Sequence, residues 1–277
     1  MRSFLMFATF VLCACKAPMT TRPESSSPKA LLECIDVGQG NACLWRTGSH
    51  AVLFDAGPDS MGILDSLKVR GIDSLDWLLL SHGHRDHVGG AWELLGHIKI
   101  GCIHVGLDTT HPWGTDSVRT LAKRYGIRID TLVRGDTLPD LSPWHVRVIW
   151  PPRLRETGDN GASLVVHVRD DVQSFLYTGD IGFAQESEIL QLEPDLHTSI
   201  LQVPHHGSAT SSSLAFVGQL NPSLAFILVG IHNEYGHPTL EALQRLTAVL
   251  GDSSRIWRTD QRGTLHVVFT YDFGIGK

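Results

Sequence analysis

The sequence predicts an α/β domain built on mixed sheets with helices over them. Strand-like and helix-like segments alternate from Ala30 almost to the C-terminus. Several strand-like runs, SLDWLLL and LAFILVG among them, are apolar for most of their length and need cover on their faces. Clusters of glycine and polar residues recur just after such runs, where open α/β sheets place their sites.

The elements follow in order. ALLECIDV and ACLWRT are strands joined by the turn-forming GQGN, and HAVLFDAG is a third strand ending at Asp55. GILDSLKVRG has helical spacing and stops at Gly71. SLDWLLLSHG is a buried strand, HVGGAWELLGH a helix and KIGCIHVG a strand. DSVRTLAKRYG is an amphipathic helix closed by Gly126, and IRIDTLVRGDTL and HVRVIWPP are strands. ASLVVHVRD and SFLYTGDI pair as a hairpin, then AQESEILQL is a helix. TSILQVPHHGS is a strand running into a loop, SSLAFVGQL a helix and LAFILVG a buried strand. TLEALQRLTAVLG is a helix, and RIWRTDQRGTLHVVFT is expected as a terminal hairpin.

The chain has 277 residues, 42% apolar and 19% charged, enough for one sizeable core and not a disordered composition. Its formal charge of −6 argues against tight, sequence-independent binding to long duplex nucleic acid. Residues 1–15 read as an export signal: Arg2, then an apolar run from Phe4 to Leu12, too short to span a bilayer. The run ends in LCAC, which resembles a bacterial lipobox and predicts lipidation at Cys15. An ordinary cleaved signal is the alternative. Residues 16–29 are rich in Pro, Ser and Thr and read as a flexible tether, leaving residues 30–272 as the folded domain. The expected location is the membrane surface of a bacterium, periplasmic or extracellular, by a lipid anchor. Beyond the signal, Cys34, Cys43 and Cys102 form no metal-type Cys-x-x-Cys pattern. Cys34 and Cys43 fall on neighbouring expected strands, where an oxidising compartment would allow them to pair, but small buried apolar residues are the simpler reading.

The chemistry concentrates in SHGHRDHVGG, where His82, His84, Asp86 and His87 fall within six positions at a strand end. Such a loop can point His82 and His84 at one ion, and Asp86 and His87 at a second beside it. Further donors stand at other strand ends: Asp180 in YTGDI, His205 and His206 in VPHHGS, and His237 in NEYGHP. His97, His104, His111, His197, His232 and His266 belong to no motif and read as ordinary surface or core residues.

HGHRDH matches the H-x-H-x-D-H pattern of the metallo-β-lactamase fold superfamily. The ordered set DVGQGNA, LFDAG, SHGHRDHVGG, NGASLVV, YTGDI, VPHHGS, YGHP and TDQRGTL resembles the hydrolase domain of ComEC/Rec2-like competence proteins. The resemblance implies an αββα sandwich of two mixed sheets flanked by helices, with a two-metal site at the sheet edge. It implies His82 and His84 on one ion, Asp86 and His87 on the other, Asp180 bridging, and His205 completing the second site. Asp55 would support the histidine loop through hydrogen bonds. Asp36, Gln39, Asn160, Ser163, His206 and Ser208 become candidates for contacts to ligands or substrate, with His237 beside Asp86 as a catalytic candidate. Taken alone, Asp36 and Asp55 fit turns equally well, and His237 before Pro238 fits a helix cap.

Two departures stand out. Asn41 occupies a position where the family usually has Asp, and no strand-end histidine lies between the loop and Asp180 to complete the first ion's ligands. Water, Asn160, Ser163 or His206 are the available substitutes. No long apolar run resembling the family's transmembrane channel follows the signal, so the expected form is a stand-alone lipoprotein hydrolase. The implied cofactors are two divalent ions, Zn or Mn, sharing Asp180 and lowering the pKa of a bridging water to make a metal-bound hydroxide. The implied reaction is phosphodiester hydrolysis on a nucleotide or single-stranded DNA. Lactam or ester hydrolysis on the same site is the runner-up, and a non-catalytic surface lipoprotein the competing class.

Overall fold

A computed structural model describes residues 30–107, 112–139, 141–153 and 159–270. The expected signal and tether, with Cys15, lie outside the described residues. Thirteen strands and eight α-helices are present among those described. The strands are β1 (Ala30–Cys34), β2 (Cys43–Thr47), β3 (His50–Phe54), β4 (Ser74–Leu80), β5 (Lys99–Val105), β6 (Arg128–Thr131) and β7 (His145–Trp150), then β8 (Val165–Arg169), β9 (Ser174–Tyr177), β10 (Ile200–Gln202), β11 (Leu224–Ile227), β12 (Ile256–Arg258) and β13 (Leu265–Phe269). The helices are α1 (Ile63–Val69), α2 (Arg85–Val88), α3 (Ala91–Leu94), α4 (Pro112–Tyr125), α5 (Phe183–Leu192), α6 (Leu214–Leu220), α7 (Leu240–Leu250) and α8 (Thr259–Arg262).

The first sheet has the order β13-β1-β2-β3-β4-β5-β6, the second β12-β11-β10-β9-β8-β7. Both are mixed. In the first, β3 to β6 run parallel and the other pairs antiparallel; in the second, β9 to β12 run parallel and β7 to β9 antiparallel. The two-residue alternation of a strand divides the apolar side chains between two faces. Trp45, Phe54, Trp77, Phe175, Tyr177 and Phe226 meet between the sheets. Leu44, Leu53, Leu78 and Ile103 face outward onto Ile63, Leu67, Val118 and Ala122 of the first helical layer. Leu176, Leu201 and Ile227 do the same onto Ile189, Phe216 and Leu246. The result is the expected αββα sandwich, with three apolar interfaces and two sheets buried on both faces.

Two expectations change. The terminal segment is not a hairpin: β12 joins the second sheet parallel to β11, and β13 crosses to the first sheet antiparallel to β1. The helix α8 between them redirects the chain. The expected helix after the histidine loop is two short ones, α2 and α3, separated by Gly89 and Gly90. A Cβ on Gly90 would stand 2.1 Å from the Ala56 carbonyl oxygen, so glycine lets this turn seat on the end of β3. Cys34 and Cys43 face each other across β1 and β2 as free, buried thiols. Among the described residues no helix is long and apolar enough to cross a membrane.

Candidate metal centre

The site sits at the carboxyl ends of β3, β4 and β9 and after β10. Asp55 follows β3 in a left-handed conformation, φ 54°, and is fully buried. Its carboxylate accepts from Ser81 N at 2.6 Å, Ser81 Oγ at 2.7 Å and the Tyr177 hydroxyl at 2.6 Å. It also lies 2.5 Å from Nδ1 of His87. A carboxylate on Nδ1 fixes the ring and leaves Nε2 facing inward, the usual arrangement behind a metal-binding histidine. Asp55 therefore stands where a supporting role requires. Backbone bonds hold α2 in place: Asn41 N donates to the Asp86 carbonyl at 3.0 Å, and Ala56 N to the His87 carbonyl at 2.8 Å.

Ligand atoms of Asp86, His87, Asp180 and His206 all lie within 4.8 Å of one another. Asp180 Oδ2 is 3.2 Å from His87 Nε2 and 3.4 Å from His206 Nε2. Asp86 Oδ2 is 3.3 Å from His206 Nε2. On the other side, His82 Nε2 lies 4.0 Å from the same Asp180 oxygen and 2.9 Å from His84 Nδ1. Asp180 thus stands between a His82–His84 group and an Asp86–His87–His206 group. Ser163 Oγ accepts from Asp180 N at 3.0 Å and lies 3.3 Å from His82 Nδ1, so it braces both groups.

The second group is completed by His206, where His205 was expected. Both residues take left-handed backbone conformations, φ 52°, in a tight turn over Pro204–Gly207. That turn aims the two adjacent rings in different directions. His206 is anchored by Nδ1 on the Leu228 carbonyl at 2.7 Å, which turns its Nε2 onto the carboxylates. His205 instead faces the cleft, with Nε2 3.3 Å from Asn160 Nδ2 and its ring centroid 5.7 Å from that of His237.

The electrostatics fit a cation. Burial opposes protonation of His87, yet the carboxylates of Asp180, Asp55 and Asp86 raise its pKa well above the ordinary imidazole value. The same contest, with Asp180 and Asp86 winning over burial, lifts His206 to about 10. Burial alone would raise Asp86 and Asp180, but the facing histidines pull both below the ordinary carboxylate value. Burial, then the neighbouring His87, lowers His82 and keeps it neutral. The buried His87 Nε2, His206 Nε2 and Asp180 Oδ1 have no well-aligned hydrogen-bond partner among the described residues. Converging, unsatisfied nitrogen and oxygen donors around buried negative charge are what a divalent ion of the Zn, Mn or Fe type takes.

His84, Asp86, Asp180 and His206 line a cleft of about 720 Å³, which Gln39, Asn160, His205 and His237 also line. Gln39 Oε1 accepts from Gly230 N at 3.2 Å. Burial first, then His205 and His206, brings the His237 pKa down to about 4, so its ring is neutral. Two expected residues stand elsewhere. Asp36 is exposed and caps its own turn, accepting from Gly38 N at 3.1 Å, and the Ser208 hydroxyl is turned to Thr210 Oγ1 at 3.1 Å. Sequence reasoning missed Tyr177, which reaches Asp55 across the sandwich, and Asp159, whose Oδ1 is 2.7 Å from His84 Nε2. It also passed over His232 and Tyr235 on the cleft rim. The polar run HNEYGHP after a buried strand was their only sequence signal.

The sequence profile of the metallo-beta-lactamase superfamily matches residues 35–230. ComE operon protein 3 of Bacillus subtilis is 31% identical over 260 residues, covering 86% of this chain and 33% of that protein. Competence protein ComA of Neisseria gonorrhoeae is 31% identical over 261 residues, covering 92% of this chain and 34% of that protein. The chain thus spans about a third of the length of these relatives. The crystal structure of the metallo-beta-lactamase fold protein YhfI from Bacillus subtilis superimposes with a TM-score of 0.59 at 12% identity, covering 87% of this chain and 99% of that one. The profile, these relatives and the αββα sandwich agree: the chain belongs to the metallo-beta-lactamase superfamily, as a ComEC/Rec2-like member.

Proposed function

We propose that this metal-dependent hydrolase cleaves phosphodiesters, on small nucleotides or single-stranded DNA, with two divalent ions, Zn or Mn, that the donors around Asp180 would hold. The observation that carries the reading is Asp180 itself, a buried carboxylate between two groups of donors on a cleft floor. Without ions, Asp86 and Asp180 would repel a phosphate. Two divalent ions bring more positive charge than these two carboxylates remove, which suits the extra charge of a phosphoryl transition state. Bound metal would activate a water and polarise a phosphoryl oxygen.

The chain's own residues do the rest. His82, His84, Asp86, His87, Asp180 and His206 would hold the ions. His205, His237 and Asn160 face the substrate space as neutral polar groups able to orient a phosphate ester. Tyr235 is exposed and stacks on His237 at 5.9 Å and 24°, offering a face to a nucleobase. Arg85, the cation on this rim, is paired with Asp59. Among the described residues the rim therefore lacks the basic track of a duplex-binding protein, in line with the net charge of −6. We also place the enzyme at a bacterial membrane surface through lipid on Cys15, a reading that rests on the LCAC sequence.

The test is turnover of bis-(p-nitrophenyl) phosphate and labelled single-stranded DNA by the full chain with Zn or Mn, beside metal analysis. Expected are about two ions per chain and a loss of at least about a hundredfold in kcat/KM for His84→Ala and Asp180→Asn. Two ions without phosphodiester cleavage would move the search to lactams and esters. Full activity in both variants would overturn the site.

A further inference from the structure

A second group of donors lies away from the cleft. Cys102 and His104 are two residues apart on β5 and so project from the same face. Asp130 on β6 is in register with His104. All three stand on the inner face of the first sheet, near its β6 edge. Their ligand atoms lie within 4.8 Å of one another, and Cys102 Sγ is 3.5 Å from Asp130 Oδ2. Two ligands of one tetrahedral zinc stand about 3.5 Å apart, so that pair is already placed and the imidazole needs a shift of no more than about 1 Å.

His104 supplies the independent observation. It is 5% exposed, and neither ring nitrogen has a hydrogen-bond partner among the described residues. Burying an imidazole with both nitrogens unsatisfied costs free energy that a ligand would recover. The residue faces a cleft of about 500 Å³ that Cys102, Asp130, Asp136 and Thr137 also line. Trp77 packs against the ring at 6.1 Å in an edge contact and walls off the core side.

We propose that Cys102, His104 and Asp130 form a second, separate metal site for a borderline-soft divalent ion such as Zn²⁺, with its fourth position open to this cleft. Thiolate, imidazole and carboxylate together suit zinc better than magnesium or calcium. Arg128 already orients the carboxylate, with Nη2 2.7 Å from Asp130 Oδ2 and Nε 3.1 Å from Oδ1. Hydrogen-bonded carboxylates of this kind are common behind metal sites. Binding would release the Cys102 proton to solvent, with the sulfur electron pair going to the metal. Burial, then Asp130, pushes the free thiol up to about 11, so occupancy should strengthen as pH rises.

The experiment uses Co²⁺ on the metal-stripped full chain. A thiolate ligand gives cobalt a near-ultraviolet charge-transfer band, and the catalytic cluster contains no cysteine. Cys34 and Cys43 sit in the inter-sheet core, outside either cluster, and Cys13 and Cys15 are replaced by serine throughout so that Cys102 is the thiol under test. Expected is a thiolate band that reaches full height by about three equivalents, because the catalytic cluster takes up the same ion, that is absent in Cys102→Ala, and that needs at least about tenfold more Co²⁺ in Asp130→Asn. Zn²⁺ should bleach it. No thiolate band in the wild-type chain, or one that survives Cys102→Ala, overturns the site. If Cys102→Ala fails to fold, Asp130→Asn decides: its carboxylate is partly exposed, and an unchanged Co²⁺ affinity would overturn the proposal.

Discussion

His205 and His206 are chemically identical and adjacent, and only backbone conformation assigns them different work. His206 has its Nδ1 on a carbonyl and its Nε2 on two carboxylates, while His205 faces the open cleft beside His237. Removing His206 strips a donor from the Asp86–His87–Asp180 group and leaves those carboxylates facing each other. Removing His205 leaves that group whole. His206→Ala is therefore expected to purify with about one ion fewer per chain, whereas His205→Ala keeps the full complement and loses at least about tenfold in kcat. Metal analysis of the two proteins, with kinetics at saturating metal, separates the roles; equal metal loss in both would make His205 a ligand too. Asp55 shows the same division between holding and reacting. It takes donors from Ser81 and Tyr177 and orients His87, while lying outside the lining of the cleft.

At the scale of elements, the loop that carries His82 to His87 is positioned by backbone packing. Gly90 has an ordinary helical φ of −66°, so its requirement is steric and not conformational. Gly90→Ala would drive a Cβ into the Ala56 carbonyl, push α2 off the end of β3 and break the Ala56 N to His87 carbonyl bond. The expected cost is about 1–3 kcal/mol in denaturant unfolding, with weaker metal binding in the same variant. Wild-type metal affinity together with wild-type stability would show that the turn has slack. How much of this was legible follows from what kind of information each feature needs. The strands and their apolar cover were readable because alternation and helical spacing are local. The histidine loop and Asp180 were readable because metal donors cluster in sequence and sit at strand ends. The partner of Asp55 was not, because Tyr177 lies 122 positions away on the opposite sheet. The fate of the terminal segment was not, because its two strands look like a hairpin locally and only tertiary pairing sends them to different sheets. Nor was the support of the segment that follows VPHHGS. It depends on buried Glu186, whose carboxylate accepts from Ser212 N at 2.5 Å and Ser213 N at 2.8 Å, and on Arg245, which donates to the Ser211 and Ser212 carbonyls. Both residues look like ordinary polar positions of amphipathic helices.

For the whole molecule, the centre is a seam. Asp86 and His87 come from the half built on the first sheet, Asp180 and His206 from the half built on the second. Protein bonds already cross there: Tyr177 hydroxyl to Asp55, and Leu164 N to the Ser81 carbonyl at 2.9 Å. Ions held jointly by both halves would bind the folded chain in preference to the unfolded one and so would stabilise the whole domain. With free metal at a hundred times its Kd, the gain is about 2.7 kcal/mol, or about 5–10 °C in Tm for a domain of this size. The gap should also depend on pH. In the metal-free chain His206 is raised from 6.5 to about 10, so its protonated form contributes stability fully below pH 6.5 and loses it as pH rises through 10. Metal needs the neutral imidazole and competes with that proton throughout the window. The difference in Tm between metal-loaded and chelated protein should therefore widen from pH 6.5 toward 10. In His206→Ala it should be smaller and flatter. Paired thermal melts across this range measure both effects, and a chelator that leaves Tm unmoved at every pH would mean that the two halves do not share the metal.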